Sequence, residues 1–101
     1  MTTSAKTKRT SSFLMANLGA EVSRIFSAKK AQDEIRAKEC LIRAENILKE
    51  IMTFPDMKKR ATEIEILSEV IRGIAIPKPT ITVSEQNITS YFMPFALQSL
   101  A

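Results

Sequence analysis

Histidine and tryptophan are absent from this sequence, and cysteine occurs once. Without histidine the chain lacks the commonest general base and metal ligand. Cys40 alone can form neither an intramolecular disulfide nor a zinc site, so a reducing compartment, the cytoplasm, is the expected location. Two glycines in 101 residues leave little for β-hairpins or phosphate-cradling loops, which need glycine at special backbone angles. Nothing approaches the ~18 apolar residues of a membrane span, and Phe13 to Ala20, interrupted by Asn17, is short for a secretory signal core. The candidate nucleophiles have no obvious activating base beside them. The expectation is a chain that is not an enzyme, needs no cofactor, metal or small-molecule substrate, and does not enter a membrane.

What remains is helical patterning. Apolar residues make up 45% and charged residues 26% of the chain, an ordinary globular balance for one domain. Leu14, Leu18, Val22 and Ile25 recur at three- and four-residue steps, with Met15 and Phe26 widening the stripe, which predicts an amphipathic helix over about 12–30. Ser11 or Ser12 is the expected N-cap. Gly19 lies inside this helix, where glycine costs up to ~1 kcal/mol against alanine and most often marks close approach of a neighbouring helix. Ala37, Leu41, Ala44, Leu48 and Ile51, flanked by Cys40 and Ile47, predict a second helix over 33–53. The polar stretch Lys29, Lys30, Gln32 and Asp33 breaks the stripe between them and favours a hairpin over one continuous helix from 12 to 53. Phe54-Pro55-Asp56 is a turn. Ala61, Ile64, Leu67 and Ile71, with Ile66 and Val70 beside them, predict a third helix over 57–72, ended by Gly73 as its C′ residue. The expected fold is all-α: an antiparallel three- to four-helix bundle over 12–73.

The two ends differ in character. Residues 1–11, MTTSAKTKRTS, read as a disordered basic arm. The net charge of +4 is uneven, because residues 1–30 carry Lys6, Lys8, Arg9, Arg24, Lys29 and Lys30 against Glu21 alone. Those six cations are the candidates for phosphate contact with nucleic acid, although no aromatics interleave for base stacking. The bland reading is a solubilising tail. An acid-free, Ser- and Thr-rich start also has the composition of an organelle leader. Residues 74–101 hold only Lys78 and Glu85. Here IAIPKP should be extended, Thr80-Ile81-Thr82-Val83 alternates with the period of a strand, and Ser84 with Glu85 caps a possible last helix broken by Pro94. This apolar tail either folds back onto the bundle or docks on another chain. For a protein partner the candidates are Ile81, Val83, Tyr91, Phe92, Met93, Phe95 and Leu97.

Glu63, Glu65 and Glu69 form the one metal-like cluster, but the Glu-x-x-His pairing of di-iron bundles is missing, and a solvated acidic face beside Arg60 and Arg72 is the simpler reading. Asn87-Ile88-Thr89 matches a glycosylation acceptor, a motif too short to be informative.

The segment SFLMANLGAEVSRIFSAKK, Ser12 to Lys30, is similar to a group of small microbial helical proteins. In that group a helix reading ANLG, then Ser or Ala, then E-V-x-R precedes a helical hairpin. Ala37, Arg43, Ala44, Glu45 and Leu48, followed by ILSEVI, fit the same pattern, and the similarity covers about 12–72. The chain is also distantly similar to the four-helix-bundle proteins that accompany ribosomal intervening sequences or diversity-generating reverse transcriptases. That resemblance implies an oligomeric, basic, non-catalytic accessory to a nucleoprotein assembly. A helical ribonuclease of the HEPN kind does not fit, because its Arg…His motif has no histidine here. The function expected from the sequence is therefore a non-catalytic accessory or adaptor that oligomerises or binds a protein partner, with nucleic-acid binding through the basic N-terminal third as the alternative.

Overall fold

The structure, a computed structural model, describes residues 10–76 and 84–100, with side chains described as far as residue 98. The described residues form α1 (Ser11–Lys30), α2 (Glu34–Ile51), the single turn α3 (Pro55–Lys58), α4 (Ala61–Ala75) and α5 (Glu85–Leu100). None of them lies in a strand, and no described helix is long and apolar enough to cross a membrane.

The helix ends follow from side-chain chemistry. Thr10, not Ser11 or Ser12, caps α1: its hydroxyl accepts from the Phe13 N–H at 3.0 Å. The two serines are thereby free for contacts across the fold. At the other end of α1 the Asp33 N–H reaches the Ala28 carbonyl at 2.8 Å and the Gln32 N–H reaches Lys29 at 3.0 Å. This pair of bonds is a Schellman closure, and it places Gln32 at φ 57°, a left-handed position that normally takes glycine. Asp33 then caps α2 by accepting from the Arg36 N–H. The expected hairpin between the first two helices is present.

Gly73 does not end α4. It is buried inside the helix, with no left-handed φ, and α4 runs on to Ala75. The terminator is the proline at 77, which drives the residue before it out of helical geometry, and Ile76 is extended at φ −71°, ψ 155°. The tail also departs from the extended form over 85–100. Ser84 accepts from the Asn87 N–H at 3.0 Å, a cap that starts α5, and the helix continues through Pro94. Pro94 has no N–H to give the Ser90 carbonyl, yet packing against α1 holds the helix together. Of the arm expected over 1–11, Thr10 and Ser11 instead cap and begin α1, and residues 1–9, like Ile81 and Val83 of the strand-like stretch, lie outside the described residues.

Cross-helix contacts fix the directions. Glu21 pairs with Arg43, and Lys29 with Glu34, so α1 and α2 are antiparallel. Ser12 bonds Gln98 while Lys30 bonds Glu85, so α5 runs antiparallel to α1 along its length. Arg72 bonds Glu45 while Met52 and Ala61 line the same groove, so α4 is antiparallel to α2 as well. Helix α1 is the centre: it packs most extensively on α2 and α5 and also touches α4. Leu14, Leu18, Val22 and Ile25 are fully or almost fully buried, as their spacing predicts, against Cys40, Ala44 and Ile51 of α2, Ile64 and Ile71 of α4, and Ile88 and Phe92 of α5. Each such Leu or Ile contributes about 1.5–3 kcal/mol by leaving water.

Candidate protein-binding surface

The partner residues expected on α5 separate into three groups. Phe92 is only 5% exposed and presses on α1 at Gly19. A Cβ at residue 19 would sit 2.8 Å from the Cβ and Cγ of Phe92, so glycine is required there by close approach, as its position in the helix suggests. Phe92, expected to meet a partner, lies in the core of its own chain, since the helix that carries it folds back onto α1.

Tyr91 and Phe95 are half-buried in a latch between α4 and α5. Arg60 bonds Glu63 through two nitrogens, at 2.9 and 2.5 Å. The Tyr91 hydroxyl donates to the same carboxylate, and the Arg60 guanidinium lies over the Phe95 ring, 5.0 Å from its centroid. Tyr91 meets Phe92 edge to face at 5.1 Å. Hydrogen bonds from Arg60 and then Tyr91 hold the Glu63 carboxyl below its ordinary range. Burial, followed by the bond to Glu63, pushes the Tyr91 phenol up. These contacts hold both aromatics, half-buried, against their own fold.

Met93 and Leu97 are the third group. They are 50% and 62% exposed, one helical turn apart on α5 and directed away from the core. The bond between Ser12 and Gln98 at 2.7 Å sets the start of α1 beside the end of α5. Phe13, the residue after Ser12 on α1, is 41% exposed. Between the two helices Ala16, Ala20 and Ser23 face Thr89, Met93 and Ala96 across a shallow depression of about 180 Å³ floored by Gly19 and Phe92. The result is a face of apolar and small residues on two rigid helices, with no charged side chain among those lining it. Sequence reasoning singled out Met93 and Leu97 but not Ala16 and Ala20, because only the register of α5 on α1 sets these alanines opposite Met93 and Ala96.

Two further openings flank α4. A groove of about 580 Å³ between α2 and α4 has Leu48, Met52 and Ile64 in its walls, and Glu45, Lys49, Glu65 and Arg72 around them. A smaller one of about 260 Å³ lies between α4 and α5 beside Ile66, Val70 and Tyr91. The three acids singled out in sequence do not converge: Glu63 belongs to the latch, Glu65 to the larger groove, and Glu69 is exposed to solvent. Among the described residues no group of three or more His, Cys, Asp or Glu side chains is placed to hold a metal ion.

The basic candidates are divided as well. Lys6, Lys8 and Arg9 lie outside the described residues. Arg24 pairs with Glu21 at 3.0 Å, Lys29 with Glu34 at 3.0 Å and Lys30 with Glu85 at 2.7 Å. Lys29 also donates to the Ile76 carbonyl. Each of these three cations faces an acid of its own fold. One polar cluster was not anticipated: nearly buried Glu21 accepts from Arg43 through both oxygens at 3.2 Å, and Arg43 also donates to Cys40 Sγ. It joins α1 to α2 and raises the Arg43 pKa through the bond to Glu21. No family model, curated protein or solved structure matches this chain.

Proposed function

We propose that this chain is a non-catalytic helical accessory protein that works by association, and that the α1–α5 face carrying Phe13, Met93 and Leu97 meets a second copy of itself. The observation that carries this reading is the exposure of those three large apolar side chains on two helices packed against each other, beside an uncharged depression between them. A contiguous apolar patch held in water by a folded scaffold is more often an interaction site than an accident. Self-association fits the chemistry of the face. A two-fold interface places like against like, and a face without charge lets two copies of a cationic chain meet without repulsion. The antiparallel helical-bundle arrangement, and the distant similarity of the chain to oligomeric four-helix-bundle accessory proteins, agree with it. A methyl-resolved NMR dilution series tests the assignment. The Met93 and Leu97 signals should shift with concentration while those of Ile35 and Ile42, exposed on α2, stay fixed. Concentration-independent Met93 and Leu97 signals would count against it.

A further inference from the structure

The groove of about 580 Å³ between α2 and α4 has two unlike ends. At one end the chain crosses from α2 to α4 through α3, and the walls are Met52, Ala61 and Ile64, next to buried Leu48. At the other end Arg72 reaches across to Glu45 at 2.8 Å and closes the groove with an ion pair. That bond sets the antiparallel register, in which Lys49 lies across from Ser68 and Met52 across from Glu65. Because Arg72 takes Glu45, exposed Lys49 one turn further on is in no ion pair among the described residues. The closed end therefore carries a hydroxyl and an uncompensated positive charge, and the crossing end is apolar apart from Glu65 on the rim.

Closure at both ends decides between occupants. A partner helix needs a channel along which to lie, and here the ion pair obstructs one end and the crossing chain the other. A short molecule lying lengthwise meets no such obstacle. From residue 45 to 52 on the α2 side the groove runs about 10 Å, and from 61 to 72 on α4 about 16 Å. An extended alkyl chain of about ten carbons, with bonds of about 1.5 Å, has that length. We propose that the α2–α4 groove binds a single-chain amphiphile with an anionic head, a medium-chain fatty acid. Its methyl end lies between Met52, Ala61 and Ile64, and its carboxylate meets Lys49 and Ser68. Apolar walls with a few polar groups gathered at one point are the usual lining of a small-molecule site, and Met52 supplies a side chain that adapts to an alkyl guest. The site uses helices α2 and α4, so it stands apart from the α1–α5 face.

The test is methyl-resolved NMR of the full-length chain at fixed concentration, titrated with decanoate below its micelle-forming concentration. The Met52 and Ile64 signals should shift and saturate while those of Met93 and Leu97 stay in place. Affinity should rise about two- to fourfold per methylene from hexanoate to decanoate, as a half- to fully buried chain requires, and level off in longer acids. Lys49→Gln should weaken decanoate about threefold and Lys49→Glu about tenfold. Decyltrimethylammonium, with the same chain and the opposite charge, should bind at least about tenfold more weakly than decanoate. Ser68→Phe, which fills the groove, should abolish saturation; Lys49→Glu, at an exposed position, covers the case in which that variant does not fold. Absence of saturable shifts at Met52 and Ile64, or shifts confined to Met93 and Leu97, overturn the proposal. So does wild-type affinity in Lys49→Glu, or a cationic chain that binds as tightly as decanoate.

Discussion

Glu63 accepts from both Arg60 and Tyr91, and those two bonds make its ionisation matter to the fold. A carboxyl whose pKa is lower in the folded than in the unfolded chain stabilises the fold above its unfolded value, 4.5 here, and that contribution is lost as pH falls through the folded value. The Tyr91 phenol has the opposite shift, so its contribution is complete below 10.0 and declines as pH rises beyond it. The melting temperature should therefore drop below pH 4.5 and above pH 10.0, and Glu63→Gln should flatten the acid limb; an unchanged acid limb would contradict the assignment. Half of this latch is legible in sequence, because Arg60 and Glu63 are three apart on one helix face. Tyr91 lies 28 residues further on, and no local pattern announces it. Gly19 belongs to the same scale. Gly19→Ala removes a helix-propensity cost of ~1 kcal/mol but forces Phe92 to move, an overpacking cost of about 1–3 kcal/mol. Chemical denaturation should show a net loss in the wild-type background. In a Phe92→Ala background, itself costing about 3–5 kcal/mol, the same change should become neutral or stabilising.

Among the elements, the helix interiors were legible and several ends were not. Apolar spacing marks Leu14 to Ile25 and Ile64 to Ile71 because each stripe has a single core to face. Ends depend on one or two backbone bonds, and residue type signals them only when the usual residue is used. Gln32 closes α1 at a left-handed angle without being glycine, so the boundary showed only as a gap in the stripe. Gly73, the obvious stop, sits within α4 because Pro77 stops the helix instead. Gln32→Gly relieves a left-handed strain of about 1–2 kcal/mol and loses part of that to the greater freedom of the unfolded chain. It should raise stability by about 0.5–1 kcal/mol in urea titration; destabilisation would show that Gln32 makes a contact that outweighs the strain. The fate of α5 was not decidable from composition, since an apolar helix packs equally well on its own chain or on another. What decides it is the glycine at 19, whose bare backbone admits Phe92.

On the scale of the molecule, charge and greasiness are redistributed by the fold. The basic N-terminal third looks like one surface in sequence, but Arg24, Lys29 and Lys30 each meet an acid. The apolar tail looks like one arm, yet Phe92 is core, Tyr91 and Phe95 are latched, and Met93 and Leu97 face outward. Packing uses the stripe that fits against α1, and Met93 and Leu97 are left exposed on α5, as Phe13 is on α1. The proposed accessory role calls for a rigid face rather than a reactive group, and α1 with α5 is the candidate for it. Sedimentation equilibrium over a range of concentrations, on the full chain and on a Met93→Glu, Leu97→Glu variant, tests this most directly. The account expects the full chain to rise from 11.3 kDa towards twice that mass, and the variant to stay at the monomer mass with its melting transition intact. A full chain that remains at monomer mass at every concentration, or a variant that associates as the wild type does, would contradict it.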